Sequence, residues 1–428
     1  MTYETTGDRE RLILAGVDSG RFPMDIDGCL DELALLVETS GGEAVGRIVQ
    51  KMDAPHPGHY LGKGKLEELK DLIALTDATG VVCDDELSGN QIKNMEAALE
   101  TKIMDRTMVI LDIFAECARS AEGKAQVELA LLNYRVSRLT GLGKSLSRQG
   151  GGASGPGGGI GTRGPGETKL ETDRRHIRGR IDELNAELKN IEKQREVQRS
   201  RREKNNAAVV SMVGYTNAGK SSIMNLLTGA GVFESSRLFA TLDTTMRKLE
   251  LPNGTEILFT DTVGFIGKLP HQLVTAFRAT LEELTYADAL VHVVDAASAN
   301  RAEQMKVVTD TLNELGCGGK PVITVFNKTD LLDTTAGLTD MGLNNVVCMS
   351  AKTGDGKDDL LAAVEDTLQR AKRKIKILIP YDKGHMLKLI YGNAKILSEE
   401  HNGQGTLIEA YADAELAGRL GPYIIFNK

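Results

Sequence analysis

Short apolar runs alternate with amphipathic stretches from the start of the chain. Arg11 to Val17, Glu43 to Val49, Gly80 to Cys83 and Thr107 to Leu111 have the length and residue types of buried strands. Between them, Cys29 to Thr39, Lys65 to Leu75 and Gly89 to Leu99 carry apolar residues at helical spacing, so the alternation predicts parallel βαβ units. A long helix from Ile113 to Leu139 is predicted to lead out. Residues 1–148 therefore read as an N-terminal parallel α/β domain.

The pattern changes at residue 149. Residues 149–166, beginning Gln149-Gly150-Gly151-Gly152-Ala153-Ser154-Gly155-Pro156, are too rich in glycine to form a core and read as a flexible loop. In residues 167–205, Ile177, Ile181, Leu184, Leu188 and Ile191 recur at spacings of 4, 3, 4 and 3. That is the seam of a short antiparallel or intermolecular coiled coil, and it implies two helices hinged near the middle or closed against the N-terminal domain. In residues 206–372, the runs Ala208 to Val213, Glu256 to Thr260, Pro321 to Phe326 and Val346 to Met349 are buried-strand candidates of a mixed sheet flanked by helices. Residues 373–428 alternate Ile375, Ile377 and Ile379, then offer a helix at Met386 to Tyr391 and strand-like runs at Lys395 to Glu399 and Thr406 to Ala412. A helical Leu416 to Leu420 and a final run Tyr423 to Phe426 complete a small α+β C-terminal domain. The predicted fold class is α/β: a parallel α/β domain, a helical coiled-coil linker, a P-loop domain and an α+β appendage.

Composition narrows the class. A 428-residue chain with 41% hydrophobic residues can build several cores. No apolar stretch reaches the length of a membrane span, and the charged start around Asp8, Arg9, Glu10 and Arg11 lacks the apolar core of a signal peptide, so a cytoplasmic location is expected. Cys29, Cys83, Cys117, Cys317 and Cys348 are odd in number, far apart and mostly within apolar runs, which excludes a disulfide framework and a Cys-x-x-Cys metal site. The net charge of −8 argues against nucleic acid, yet residues 163–204 hold 13 Lys or Arg against 9 Asp or Glu. Arg174, Arg175, Arg178, Arg180, Arg199, Arg201 and Arg202 cluster towards the two ends of the helical segment. Such helix ends either grip RNA phosphates or are simply solvated faces.

The chemistry lies in an ordered series of motifs. Gly214-Tyr215-Thr216-Asn217-Ala218-Gly219-Lys220-Ser221 fits G-x-x-x-x-G-K-[ST], with an apolar run before it and a helical pattern after it. The loop's N–H groups and the helix N-terminus face phosphate, Lys220 reaches the β/γ-phosphates, and the Ser221 hydroxyl ligates Mg²⁺. Asp261-Thr262-Val263-Gly264 closes the next strand, with Asp261 for the Mg²⁺ shell and Gly264 free to meet a γ-phosphate. Asn327-Lys328-Thr329-Asp330 selects the purine, because the Asp330 carboxylate accepts from guanine N1–H and the 2-amino group, and adenine would leave it unpaired. Ser350-Ala351-Lys352 is the weak last element, expected to support the base edge. Together these imply a GTP-hydrolysing switch. A switch threonine that ligates Mg²⁺ and the γ-phosphate must lie in Phe239-Ala240-Thr241-Leu242-Asp243-Thr244-Thr245, where several threonines compete. The position after Gly264, which carries a water-orienting Gln in many G proteins, is Phe265. Hydrolysis should therefore be slow unaided and depend on a partner, a rearranged switch or a monovalent cation. Asn217 could hold such a cation, since asparagine at this position resembles K⁺-dependent members of the translation-factor-related GTPases, or it could serve loop geometry alone. Gly58 to Gly64 matches no complete dinucleotide loop and follows no convincing strand.

Further strings make the chain resemble the HflX family of ribosome-associated GTPases. They are Gly164-Pro165-Gly166-Glu167-Thr168-Lys169-Leu170-Glu171-Thr172-Asp173-Arg174-Arg175, Tyr60-Leu61-Gly62-Lys63-Gly64-Lys65, Asp105-Arg106-Thr107, Ile113-Phe114-Ala115, Gln126-Val127-Glu128-Leu129-Ala130, and Asp261 through Leu269-Pro270. The resemblance runs from about residue 45 to residue 300, with a looser match over the last 55 residues. It implies Thr241 as the switch threonine, placing Lys220, Thr241 and Gly264 at the chemistry and Ser221, Thr241 and Asp261 around Mg²⁺. It also implies the 50S subunit and its rRNA as partners, and a role in ribosome splitting, rescue or biogenesis. Members usually carry proline where Thr244 stands here, a departure that removes no ligand. The resemblance favours RNA contact for the Gly-rich loop and the basic helix ends. A monomer is the favoured state. A GTP-gated switch for a non-ribosomal protein and an NTP-driven RNA remodeller are the rival readings.

Overall fold

The computed structural model describes residues 9–149, 165–204, 208–229, 238–239, 245–268, 281–335, 337–338, 345–371, 373–412 and 414–425. The N-terminal sheet has the order β2-β1-β3-β4, from β1 (Arg11–Asp18), β2 (Glu43–Lys51), β3 (Gly80–Cys83) and β4 (Lys102–Asp105), all parallel. The helices α1 (Ile26–Thr39), α2 (Lys63–Thr76) and α3 (Gly89–Leu99) cross between these strands, as the alternation predicts. Their starts follow local chemistry. The Asp25 carboxylate caps α1 by accepting from Gly28 N–H at 2.8 Å, and Ser88 with Gln91 forms a capping box on α3.

Two predictions fail where this domain ends. Thr107 to Leu111 is not a strand; it lies inside α4 (Arg106–Cys117), and the fourth strand is Lys102–Asp105. The run is apolar on several sides because α4 is buried around most of its circumference, at Arg106, Thr107, Val109, Ile110, Leu111, Ile113 and Phe114, which erases the helical period. The Asp105 carboxylate starts the helix by accepting from Met108 N–H at 3.0 Å. Nor does one helix run from Ile113 to Leu139. The chain turns extended at Ala118, and α5 (Ala121–Gln149) starts afresh, with the Ser120 hydroxyl accepting from Gly123 N–H at 2.8 Å.

The helical segment is one continuous helix, α6 (Pro165–Lys204), not two hinged helices. Its second helix is α5: Ile181, Leu184 and Leu188 pack on Ala125, Leu129 and Leu132. Arg180 pairs with Glu128 and Arg195 with Glu122, so partners descend along α5 as they ascend along α6 and the pair is antiparallel. The seam therefore closes within the chain. The glycine-rich residues 150–164 lie outside the described residues.

The second sheet has the order β10-β9-β8-β5-β7-β6, built from β5 (Val209–Gly214), β6 (Thr245–Glu250), β7 (Glu256–Asp261), β8 (Ala289–Asp295), β9 (Val322–Asn327) and β10 (Val346–Cys348). Only β6 runs antiparallel to its neighbour, so the sheet is mixed. α7 (Lys220–Thr228), Arg301–Glu314 and Lys357–Ala371 flank it. The C-terminal unit is an antiparallel sheet of order β11-β13-β12, from β11 (Arg373–Ile379), β12 (Lys395–Asn402) and β13 (Gly405–Ala412), with helices Gly384–Asn393 and Ala414–Arg419. Its last predicted run becomes a 3₁₀ turn, Gly421–Tyr423, followed by a single bridge from Ile424 to Ile377.

One apolar cluster joins the first two domains. Leu30, Leu33, Ile110 and Phe114 from the N-terminal domain share it with Val213, Tyr215, Leu238, Phe239, Val263, Phe265 and Ile266. The Phe114 and Phe239 rings meet edge to face with centroids 4.6 Å apart, a geometry that adds about 1 kcal/mol to their burial. The N-terminal domain thus packs against the residues that flank the phosphate loop.

Candidate functional site

The phosphate loop leaves β5 at Gly214 and enters α7 at Lys220, the position predicted from sequence. Gly214 and Gly219 are glycines for steric reasons. A Cβ on Gly214 would lie 2.3 Å from the Val293 carbonyl, and one on Gly219, where φ is +96°, would lie 2.1 Å from Asn327 Nδ2. Tyr215, Thr216 and Ala218 are buried, whereas Asn217 is exposed and left-handed at φ +61°, a conformation asparagine tolerates. Lys220 is buried, and its Nζ donates to the Gly214 and Tyr215 carbonyls at 3.0 and 2.9 Å. Burial pulls its pKa down to about 8, against the opposing pull of Asp261.

Ser221 begins α7 and Asp261 ends β7, and the Ser221 hydroxyl donates to the Asp261 carboxylate at 2.8 Å. A hydroxyl and a carboxylate oxygen side by side at a helix N-terminus form a hard-oxygen donor set that suits Mg²⁺ completed by phosphate and water. Thr262 is turned away: its hydroxyl donates to the Met212 carbonyl at 2.6 Å and fixes the turn onto β5. Gly264 lies against the loop, where a Cβ would come within 3.0 Å of both Lys220 Nζ and Thr216 Cα. Val263 and Phe265 are buried in the interdomain cluster. Phe265 N–H donates to the Gly214 carbonyl at 3.1 Å and the Phe265 carbonyl accepts from Thr216 N–H at 2.7 Å, so this segment is zipped to the phosphate loop.

The base-side motifs converge on the same loop. Asn327 is buried at the end of β9; its Nδ2 donates to the Ala218 carbonyl at 2.9 Å and its Oδ1 accepts from Ala351 N–H at 2.9 Å. One amide therefore stitches the phosphate loop to the Ser350-Ala351-Lys352 turn. Lys328 is left-handed at φ +64° and pairs with Asp295 at 2.7 Å. Thr329 N–H donates to the Met349 carbonyl at 3.3 Å. Asp330 is exposed and accepts from the buried Ser350 hydroxyl at 2.7 Å, while Lys352 is exposed.

Ala240, Thr241, Leu242, Asp243 and Thr244 lie outside the described residues. Phe239 is described, with its ring in the interdomain cluster against Phe114. Thr245, one of the threonines competing for the switch role, opens β6 directly across from Asp261. Sequence reasoning missed five polar residues next to this site. Tyr215 Oη donates to Glu32, Glu32 pairs with Arg106, Arg106 with Asp84, and Lys268 with Asp84 and Asp85. Asp84 and Asp85, directly after the apolar run Gly80 to Cys83, were the available signal.

The basic helix ends are only partly free for RNA. Arg180 is engaged with Glu128 and Glu183, whereas Arg175 and Arg178 are exposed. Among the described residues no cluster of three His, Cys, Asp or Glu could hold a metal ion, and no helix is long and apolar enough to cross a membrane.

A phosphate loop, a strand-end aspartate beside its serine and an Asn-Lys-x-Asp turn, all on one mixed sheet, define a P-loop GTPase. Residues 28–115 match the family description "GTP-binding GTPase N-terminal", 117–202 match "GTP-binding GTPase Middle Region" and 209–328 match "50S ribosome-binding GTPase". The chain is 51% identical to a GTPase HflX of Lacrimispora saccharolytica, over 96% of this chain and 95% of that protein. It is 49% identical to one of Caldanaerobacter subterraneus over 99% and 95%, and 41% identical to that of Escherichia coli over 85% and 84%. The chain belongs to the HflX family of GTPases. A solved structure of a GTP-binding protein from Sulfolobus solfataricus in complex with GDP is 23% identical, covering 84% of this chain and 99% of that one at a TM-score of 0.42.

Proposed function

We propose that this GTPase is a cytoplasmic switch that binds the large ribosomal subunit and its rRNA in the GTP state, and that it acts in splitting, rescue or assembly of ribosomes. The observation that carries the reading is the burial of Phe265. A GTPase whose position after the Asp261-x-x-Gly264 turn is packed into its own domain interface has no side chain there to orient water, and it needs an outside surface to complete catalysis. The family description over residues 209–328 names the 50S ribosome as a binding partner and supports that surface being ribosomal. The exposed Arg175 and Arg178 on α6 offer phosphate contacts.

In this reading Gly214 to Ser221 cradle the phosphates, Lys220 sits at the β/γ-phosphates, and Gly264 N–H meets the γ-phosphate. Asp330 accepts from guanine, with Ser350, Ala351 and Lys352 closing the base edge. Mg²⁺ would be held by Ser221 and Asp261, with Thr241 by resemblance, and would neutralise charge on the β- and γ-oxygens. Thr241 would contact the γ-phosphate in the GTP state and lose that contact after hydrolysis, lowering ribosome affinity. The left-handed backbone at Asn217 accounts for asparagine there by loop geometry; a K⁺ ion held by its side chain is the second reading.

Sedimentation of the full chain with purified 50S subunits tests the proposal. Co-sedimentation with a non-hydrolysable GTP analogue and loss of it with GDP is expected. Equal recovery in both states would refute the nucleotide gating, and no recovery in either would replace the ribosome by a different partner.

A further inference from the structure

A cavity of about 620 Å³, within the size range of small-molecule sites, opens where the strands of the N-terminal sheet end. The chain passes from β1 to β2 on one side and returns to β3 on the other, so the cavity sits at the topological switch point of a parallel sheet. Open α/β sheets hold ligands in such crevices, outside the carboxyl ends of their strands. The walls come from Asp18 to Ile26 after β1, Asp85 and Glu86 after β3, Arg106 and Thr107 at the start of α4, and Lys268 of the second domain. None of these residues belongs to the GTP motifs.

Two donors are stranded in the wall. Arg106 is 2% exposed and Thr107 1%, yet neither Arg106 Nε nor the Thr107 hydroxyl has a hydrogen-bond partner among the described residues. The terminal nitrogens of Arg106 are spent on Glu32 and Asp84, which leaves Nε–H to donate. Leaving a buried donor unmatched is costly, so the pair marks a place where acceptor oxygens belong. Nearer the mouth, Asp18 and Asp25 each accept one backbone N–H, from Gly20 at 3.1 Å and Gly28 at 2.8 Å. Neither meets a cation among the described residues. Asp85 differs, because it is matched by Lys268 at 2.8 Å and by Tyr60 Oη at 2.7 Å.

The lining therefore asks for acceptor oxygens at its buried end and for a cation at its mouth. Phosphate groups do not suit it. The helices α1 and α4 begin at the cavity with their N-terminal N–H groups already capped by Asp25 and Asp105, whose charges repel a polyanion. Cys29 also lines the cavity, but burial pushes its thiol up to about 11, so the site offers no reactive thiolate. We propose that this cavity binds a small zwitterion of the amino-acid class, its carboxylate on Arg106 Nε and the Thr107 hydroxyl and its ammonium towards Asp18 and Asp25. Phe22, Met24 and Ile26 provide an apolar wall for its side chain. The inference is independent of the GTP site and of any ribosomal partner.

The test records thermal unfolding of the full chain with each L-amino acid at millimolar concentration and follows the binders by calorimetry. At least one should raise the Tm. The amine lacking its carboxylate and the acid lacking its amino group should each bind at least about tenfold more weakly, the worth of one charge-assisted hydrogen bond. Thr107→Val removes an unmatched hydroxyl, so the ligand-free variant should be as stable as the parent or more so, while binding falls about tenfold. Asp18→Asn should weaken binding by a similar factor. No binding by any amino acid would overturn the proposal, as would a binder held equally well by both variants or by its amine alone. Inorganic phosphate bound in a Thr107-dependent way would replace the zwitterion by a simple anion and overturn it too.

Discussion

Asn327→Ala is the sharpest perturbation of the nucleotide site that the geometry offers. The buried amide links the Ala218 carbonyl of the phosphate loop to the Ala351 N–H of the base-side turn, each at 2.9 Å. Alanine would strand both backbone groups at a cost of about 1–3 kcal/mol each, less whatever water recovers. The amide is buried and bonded at both ends, so part of the loss falls on stability. The remainder appears when GDP must organise two unconnected loops, and about 2 kcal/mol of it weakens binding roughly thirtyfold. Gly219→Ala attacks the same contact from the other side, because its Cβ would fall 2.1 Å from Asn327 Nδ2 at a φ of +96°. The two changes should therefore be strongly non-additive in a double mutant. Titration with fluorescent GDP reads all three variants. Wild-type affinity in Asn327→Ala, or additive losses in the double mutant, would refute the idea that this amide organises the site.

Three further outcomes follow. Phe265→Gln supplies the amide that many G proteins use, yet it should not accelerate hydrolysis; the buried position predicts a loss of about 3 kcal/mol in stability, visible in urea unfolding. A clear rise in rate would show that the side chain can reach the nucleotide. Asp330→Asn should cripple GTP binding without conferring ATP binding, because the lost carboxylate is the acceptor for guanine; retained GTP affinity in a competition assay would contradict that role. His292 is buried in β8, and burial, aided by Lys220, lowers its pKa to about 4 from 6.5. Its folded form stays neutral, so the stability it contributes is complete above pH 6.5 and is lost as pH falls towards 4, by about 2 kcal/mol at pH 5. The difference in unfolding free energy between the parent and His292→Gln should shrink by that amount between pH 7 and pH 5; a constant difference would refute it.

The parts of this protein that were legible in its sequence are those whose chemistry forces residues to be contiguous. A phosphate loop needs Gly214, Gly219, Lys220 and Ser221 within one turn, and the Asn327 and Asp261 turns must each close a strand, so the site could be assembled from short strings. Alternation of apolar runs with helical stretches gave the parallel N-terminal sheet for the same reason. The misreadings have physical causes. The run Thr107 to Leu111 belongs to a helix buried on several sides, where hydrophobic periodicity carries no signal. The seam at Ile181, Leu184 and Leu188 was visible, but its partner was not, because Ala125, Leu129 and Leu132 are ordinary positions on a preceding helix. The polar contacts that run from Tyr215 had no contiguous trace at all: Glu32, Asp84, Arg106 and Lys268 come from four distant places and meet only in the folded domain pair. Two of the strings that carried the family resemblance, around Tyr60 and around Arg106, acquire a physical role there that their sequence did not disclose.

A switch that buries Phe265 should depend on an outside surface for turnover, and the GTP hydrolysis rate with and without purified 50S subunits, in potassium and in sodium buffer, tests that dependence most directly. Slow intrinsic turnover with marked stimulation by 50S subunits is the expected result, and stimulation confined to potassium would assign Asn217 its cation. A rate unchanged by saturating 50S subunits in either salt would contradict a ribosome-coupled GTPase.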